Sequence, residues 1–209
     1  ASQHSISFGF LPKVIAKFAR TRPDMAISFQ SQYSTKVQEW VAAGLFEIGI
    51  CELPLVHDGF DVHPLHFETK IALPAGHPLA RHSVLTPQLL ENQPFVMMGQ
   101  EHMTHRRLRE AFQNVGVPIR ARVHSQLFRN LLSFVKEGMG VALVDPFALE
   151  FDTEGGFEAR PFQPMILMDM AIITSRVRPL SAVGTAFLTL LLDELRPFQA
   201  SPAKADARP

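Results

Sequence analysis

Apolar side chains fall at Phe10, Leu11, Val14, Ile15 and Phe18, the spacing that lines one face of a helix. Pro12 is tolerated because the first turn of a helix has no internal hydrogen bond to lose, and the pattern predicts a helix to about Arg20. Pro23-Asp24 breaks it. Residues 25–30, Met-Ala-Ile-Ser-Phe-Gln, then alternate apolar with small or polar side chains, which predicts a half-buried strand. Ser34 or Thr35 can cap a second helix over 36–43 that Gly44 stops. Residues 46–51 read as a second short strand.

The pattern continues with extended pieces at 62–65 and 67–73, a short helix opening at Thr86-Pro87, a strand at 94–98, and a helix marked by Met103, Leu108, Ala111 and Phe112 that ends near Gly116. A strand at 119–123 follows, then a helix defined by Leu127, Leu131, Leu132 and Val135 and ended by Gly138. Residues 141–144 form a buried strand stopped by Asp145-Pro146, 157–162 and 166–174 are strand-like, and a last helix covers 180–195. Residues 199–209, small, polar and proline-containing, read as a disordered tail. Strands alternating with helices predict an α/β fold with mainly parallel sheets covered on both faces. Ligands of such sheets sit at the carboxyl ends of the strands.

Composition narrows the function. The 209 residues, 46% apolar and 19% charged, can build one large core or two small ones. Twenty basic and twenty acidic side chains leave no surplus positive charge to neutralise phosphates, so this chain alone is expected to bind nucleic acid poorly. The longest apolar runs, such as 186–192, fall short of the roughly 18–20 residues that cross a bilayer. Residues 1–5 lack the basic head and apolar middle of a secretion signal. The single cysteine, Cys51, cannot form an intramolecular disulfide and has the apolar neighbours of a buried strand position. A reducing cytoplasm is the expected compartment.

No catalytic constellation stands out. A nucleophile elbow, a dinucleotide fingerprint and a phosphate loop are all missing from the sequence; Gly138-Met139-Gly140 follows a predicted helix, whereas the fingerprint precedes one, so it reads as a helix stop and tight turn. The pairs His63/His66 and His102/His105 have no carboxylate or cysteine at ligand spacing, and His63 and His66 point to opposite faces of an extended segment. No metal, cofactor or enzymatic activity is expected. What remains is four strand-to-helix turns rich in hydroxyl and amide side chains, at 2–7, 32–35, 99–104 and 124–126. Helix N-termini there offer N–H groups and partial positive charge to a carboxylate, while ordinary N-capping accounts for any one turn taken alone.

Four segments resemble, in order and spacing, the effector-binding domain of LysR-type transcription regulators. They are Phe10-Leu11-Pro12 with Phe18 and Arg22-Pro23; Gly44-Leu45-Phe46-Glu47-Ile48-Gly49-Ile50; Leu73-Pro74-Ala75-Gly76-His77-Pro78-Leu79; and Val135-Lys136-Glu137-Gly138-Met139-Gly140-Val141-Ala142-Leu143-Val144. The likeness spans residues 1–198 and leans toward the branch that senses opines and amino acids, through Asp145-Pro146 after the Gly-x-Gly-Val-Ala run. It implies a two-lobed clamshell similar to type 2 periplasmic binding proteins, with two small doubly wound sheets joined by two crossover strands. The crossings are expected at 66–69 and 172–175, which makes lobe one 1–66 plus 175–198 and lobe two 67–174. The resemblance further implies a DNA-binding helix-turn-helix in the complete regulator, ahead of this chain, and a first strand trimmed to Ala1-Ser2.

By position, the resemblance places ligand contacts at Ser2, His4 and Ser5 after the first strand and at Ser34 and Thr35 after the second. Gly99, Gln100 and Thr104 reach in from the other lobe, and His124, Ser125, Pro146 and Phe147 close the cleft. Glu52, just past a strand end, either pairs with a ligand ammonium or is a solvated loop carboxylate. The expected partners are a small-molecule effector (an amino acid, an opine or another carboxylate), a second copy in a homodimer or a tetramer of the full-length protein, and DNA only through the missing N-terminal domain. The homodimer is expected to use the apolar face of Phe10, Val14 and Phe18 with residues 25–29, against residues 127–136 of the other copy. A solute-binding protein serving a transporter is the alternative on the same scaffold.

Overall fold

Two helices open the chain: a single turn, α1 (His4–Ser7), and α2 (Phe10–Ala19). The apolar stripe of α2 is buried at Phe10, Leu11, Val14 and Phe18. Phe10 meets Phe198 edge-on and Phe18 meets Phe187, with ring centroids 5.4 and 5.1 Å apart. This face is therefore core, not the exposed patch that the expected dimer relied on. Helix α3 (Ser34–Ala42) buries Val37 and Val41 and is followed by strand β1 (Ile48–Glu52). Gly49 lets the two approach, since a Cβ there would lie 2.7 Å from Val41 and 2.9 Å from Ile173.

Strand β2 (Phe60–Glu68) leads on to β3 (Lys70–Pro74), a 3-10 turn over Pro78–Arg81, β4 (Pro94–Met98) and α4 (Met103–Gln113). Then come β5 (Arg120–Ser125), α5 (Phe128–Lys136), β6 (Ala142–Val144), α6 (Pro146–Glu150), β7 (Phe157–Pro161), β8 (Leu167–Ser175), α7 (Ala182–Leu195) and a 3-10 turn over Arg196–Phe198. The structure, a computed structural model, describes residues 1–200. It divides into two compact units: Ala1–Phe67 with the chain from Asp169 onward, and Glu68–Met168.

In the first unit β8 lies between β1 and β2 and runs antiparallel to β1, with Ile50 opposite Ile172. On the other edge of β1 the short stretch Ala1–Gln3 runs parallel to it, with Ser2 bridging both Ile50 and Ser31. In the second unit β3 is flanked by β6 and β7, both antiparallel, while β4 pairs with β5 in parallel. Val141 joins the two sheets: its N–H donates to Pro94 O at 2.8 Å and its carbonyl accepts from Val96 N at 2.9 Å. The core of this unit gathers Ile71, Leu73, Phe95, Leu108, Phe112, Leu143 and Phe162.

Most predicted elements form within a residue or two of their expected ends, and the exceptions have physical causes. Residues 25–30 form no strand, because their one backbone neighbour, Ala1-Ser2, reaches only Gln30 to Gln32; Ile27 and Phe29 stay 40% and 37% exposed. Thr86-Pro87 opens turns and not a helix. Several pairings are antiparallel where parallel ones were expected. The second boundary between units falls after Met168 and not at 172–175, since residues 170–174 are hydrogen-bonded partners of β1. Of the tail read as disordered, Gln199 bridges Phe67 and Ala200 N donates to His66 O at 2.8 Å, while residues 201–209 lie outside the described residues.

The Gly138–Gly140 turn does what its sequence suggests. Gly138 takes a positive φ of 69° just past α5, and a Cβ on Gly140 would meet the Pro94 carbonyl oxygen at 2.3 Å. Gly140→Ala therefore forces β4 and Val141 apart and is expected to cost about 2–4 kcal/mol in denaturant unfolding. Gly76→Ala strains only the local backbone, with nothing within 4 Å of the new methyl group, and should cost about 1 kcal/mol.

Candidate functional site

In the first unit the hydroxyl-rich turns come together where Ser2 bridges Ser31 and Ile50 in parallel. Ser2 is wholly buried, and its Oγ has no hydrogen-bond partner among the described residues. Two residues on, α1 begins, with the Gln3 side chain as its cap accepting from Ser5 N at 2.7 Å. His4 Nδ1 lies 2.9 Å from Ser31 Oγ and its ring stands edge-on to Tyr33 at 5.3 Å. Ser31 Oγ donates to Ser7 Oγ at 3.0 Å, and Ser7 Oγ donates to the His4 carbonyl at 2.7 Å. Ser7 lay within the turn 2–7 without being singled out, and Ser31 was missed because only its bridge to the distant Ser2 brings it to this turn.

Ser34 or Thr35 was expected to cap α3, but the cap position is Tyr33, which makes no side-chain cap. Ser34 is the first helical residue, and its Oγ accepts from Glu52 N at 3.0 Å, tying the start of α3 to the end of β1. Thr35 is exposed on the first turn. The half-buried Glu52 thus stands beside the opening of α3.

In the second unit the parallel strands β4 and β5 end side by side, and Gly99 N donates to Ser125 O at 2.9 Å. A Cβ on Gly99 would meet the Gln126 side chain at 2.8 Å, so glycine here admits a close approach. Gln100 and His124 are exposed, Ser125 is half-buried and Thr104 is buried. His102 is the cap of α4: its Nδ1 lies 2.8 Å from Thr104 Oγ1 and accepts from Thr104 N at 3.2 Å. His105 Nδ1 lies 2.8 Å from the Met98 carbonyl, with its ring 5.8 Å from that of His124. Helix α5 follows the 124–126 turn with Leu127 at its cap position and no side-chain cap.

Asp145 is buried and caps α6, accepting from Phe147 N at 2.7 Å and Ala148 N at 2.8 Å. Pro146 is half-buried and Phe147 is 1% exposed.

The remaining chemistry is quiet. Of the histidine pairs, His66 Nδ1 is 2.6 Å from Asp169 Oδ1, and among the described residues no three potential ligands are grouped as a metal would need. Among those residues, too, no helix is long and apolar enough to cross a membrane. Cys51 is buried in β1, and burial, with the nearby Glu52 charge, pushes its thiol up to about 12.

These units and turns are those of a two-lobed α/β ligand-binding domain, and the chain belongs to the family of LysR substrate binding domains, which it matches over residues 1–196. The regulatory protein NocR of Agrobacterium tumefaciens is 27% identical over 191 residues, 91% of this chain and 64% of that protein. The octopine catabolism/uptake operon regulatory protein OccR of Rhizobium meliloti is 30% identical over 167 residues, 79% of this chain and 54% of that protein. The chain thus spans between about half and two thirds of the length of these relatives. Among solved structures, the CcmR regulatory domain of Synechocystis PCC6803 in complex with 2-PG superposes with a TM-score of 0.77 at 16% identity, covering 92% of this chain and 93% of that one. The BenM effector binding domain with its effector benzoate gives 0.76 at 16% identity, covering 96% and 93%.

Cys51 supplies a pH test. Its folded-state pKa is raised above the unfolded value, so its contribution to stability is complete below about pH 9 and is lost as pH rises toward 12. The expected slope is at most about 1.4 kcal/mol per pH unit. Urea titrations from pH 8 to 11 should show it, and Cys51→Ala should flatten it. A thiol reagent at pH 8 should react only as fast as the chain unfolds.

Proposed function

We propose that this chain is the effector-sensing domain of a transcription regulator, and that it binds a small carboxylate-bearing, amino-acid-like metabolite. The observation that carries this reading is that α3 and α5 each open directly after a hydroxyl-rich turn without a side-chain cap. The N–H groups of an uncapped first turn, with the partial positive charge of the helix end, suit a carboxylate. The candidate contacts are Ser2, His4, Ser5, Ser34 and Thr35 in the first unit and Gly99, Gln100, Thr104, His124, Ser125, Pro146 and Phe147 in the second. A cationic group on the ligand would find its acceptor in Glu52, since a buried ammonium needs one. Benzoate, itself a carboxylate, in BenM and the octopine operon of OccR support this chemistry.

An effector that prefers one arrangement of the two units shifts their population, and in the full-length protein that shift would re-angle DNA-binding domains ahead of this chain. Pairing of two copies fits the family, but not through the α2 stripe, which is buried.

Calorimetry with a panel of amino acids, opines, aromatic acids and dicarboxylates tests the reading. A zwitterion is expected to bind most tightly, and Ser34→Ala, Thr35→Ala and Gln100→Ala should each weaken it by about 1–3 kcal/mol. Binding of uncharged compounds only, or unchanged affinity in all three variants, would place the site elsewhere. Sedimentation at tens of micromolar should show a dimer that Phe10→Ala disturbs only by destabilising the fold.

A further inference from the structure

His4, Ser31 and Ser7 form a hydrogen-bond relay in the first unit whose direction is fixed by counting protons. Ser7 Oγ lies 2.7 Å from the His4 carbonyl oxygen, which can only accept, so the one hydroxyl proton of Ser7 is used there. Ser31 Oγ, 3.0 Å from Ser7 Oγ, must then be the donor of that pair. With its own proton committed, Ser31 can only accept from His4 Nδ1 at 2.9 Å. His4 is therefore held with its proton on Nδ1, and in the neutral ring Nε2 is a bare acceptor. Both hydroxyls are fixed in place, since Ser7 is buried and Ser31 is bridged to Ser2.

We infer that His4 Nε2 takes a hydrogen-bond donor of the effector, the amine in an amino-acid-like compound, and that Ser31 and Ser7 are positioning residues that set this polarity. The presence of a ligand at this turn rests on the effector reading above; the tautomer does not. Among the described residues Nε2 has no hydrogen-bond partner, and the ring is half-buried.

The surroundings of the ring have the matching polarity. Its edge-on neighbour at 5.3 Å is Tyr33, which is 58% exposed and occupies the cap position of α3. Directly after Tyr33 the uncapped first turn of α3 offers N–H groups that suit a carboxylate. An acceptor against the Tyr33 ring and a set of donors following its backbone fit the two opposite charges of an amino-acid head group. An ammonium has three donors, so His4 shares it with Glu52, whose N–H is tied to Ser34 at the same helix start. The other tautomer would turn an N–H toward the ammonium and repel it. A carboxylate facing Nε2 would meet a lone pair.

The test begins without a ligand. At about pH 8 the imidazole nitrogen resonances, with those of His4 assigned by their loss in His4→Asn, should show a proton on Nδ1 and none on Nε2. Ser31→Ala should abolish that pattern, and Ser31→Thr, which keeps the hydroxyl, should retain it. A proton on Nε2 in the unsubstituted chain overturns the inference whatever binds. Calorimetry and the same spectra then compare L-arginine with its deaminated analogue, which lacks only the α-amine. L-arginine should shift the Nε2 resonance, and Ser31→Ala should weaken its binding at least about fivefold while changing that of the analogue less than about twofold. L-arginine bound with the Nε2 resonance unmoved overturns the inference and leaves the effector reading standing. Failure of both compounds, and of every other carboxylate in the panel, to bind a chain that has the Nδ1–H ring overturns the effector reading and the ligand contact at Nε2 together, and leaves the tautomer.

Discussion

Strand β8 is the constraint on which the two units depend. All nine of its residues, Leu167–Ser175, are buried, and the chain passes between units within it, after Met168. A buried strand must find partners for its N–H and C=O groups, and in the first unit β1 and β2 on its two sides supply them. The single carboxylate on this strand, Asp169, would be costly unless paired; His66 of β2 stands 2.6 Å away, just before the other point where the chain changes unit. Fixing β8 fixes β1 in register, β1 fixes Glu52, and Glu52 N in turn holds Ser34 at the head of α3.

Elements that carry their own signal were legible in the sequence. Helix α5 shows Leu131, Leu132 and Val135 on one face and a glycine at its end, and both marks act within a few residues. What was not legible depends on distant partners. Residues 25–30 have a strand's alternation, yet alternation says only that a strand can form; the hydrogen bonds must come from a neighbour, and Ala1-Ser2 is too short to give them. Gln199 and Ala200 have a tail's composition and are nonetheless held by Phe67 and His66. The antiparallel course of β8 beside β1 is likewise set by how the chain returns from the second unit, which no local pattern encodes.

The candidate site was legible as a set of turns and not as a set of roles. Hydroxyl and imidazole groups are interchangeable as short-range acceptors, so position alone does not say which one a helix uses. Ser34, with the look of a cap, instead accepts from the backbone across to β1. His102, spaced from His105 as a metal pair would be, is a cap. Phe147, placed by the family resemblance among the ligand contacts, is 1% exposed at the start of α6, where Asp145 accepts from the N–H groups of Phe147 and Ala148.

The hydrogen bonds that are already made sort the turns more sharply than their composition does. Helix α4 is closed by His102, α6 by Asp145 and α7 by Ser181, whose Oγ accepts from Gly184 N at 3.0 Å. A helix end closed in this way has little to offer a ligand without first giving up a bond worth about 1 kcal/mol. Helices α3 and α5 carry no such cost, having no side-chain cap to displace. One lies in each unit, and each follows a turn rich in hydroxyl and amide side chains and offers its own set of donors. On this reasoning the Ser34 hydroxyl acts first as the tie that, through Glu52 N, keeps the start of α3 in place beside the end of β1.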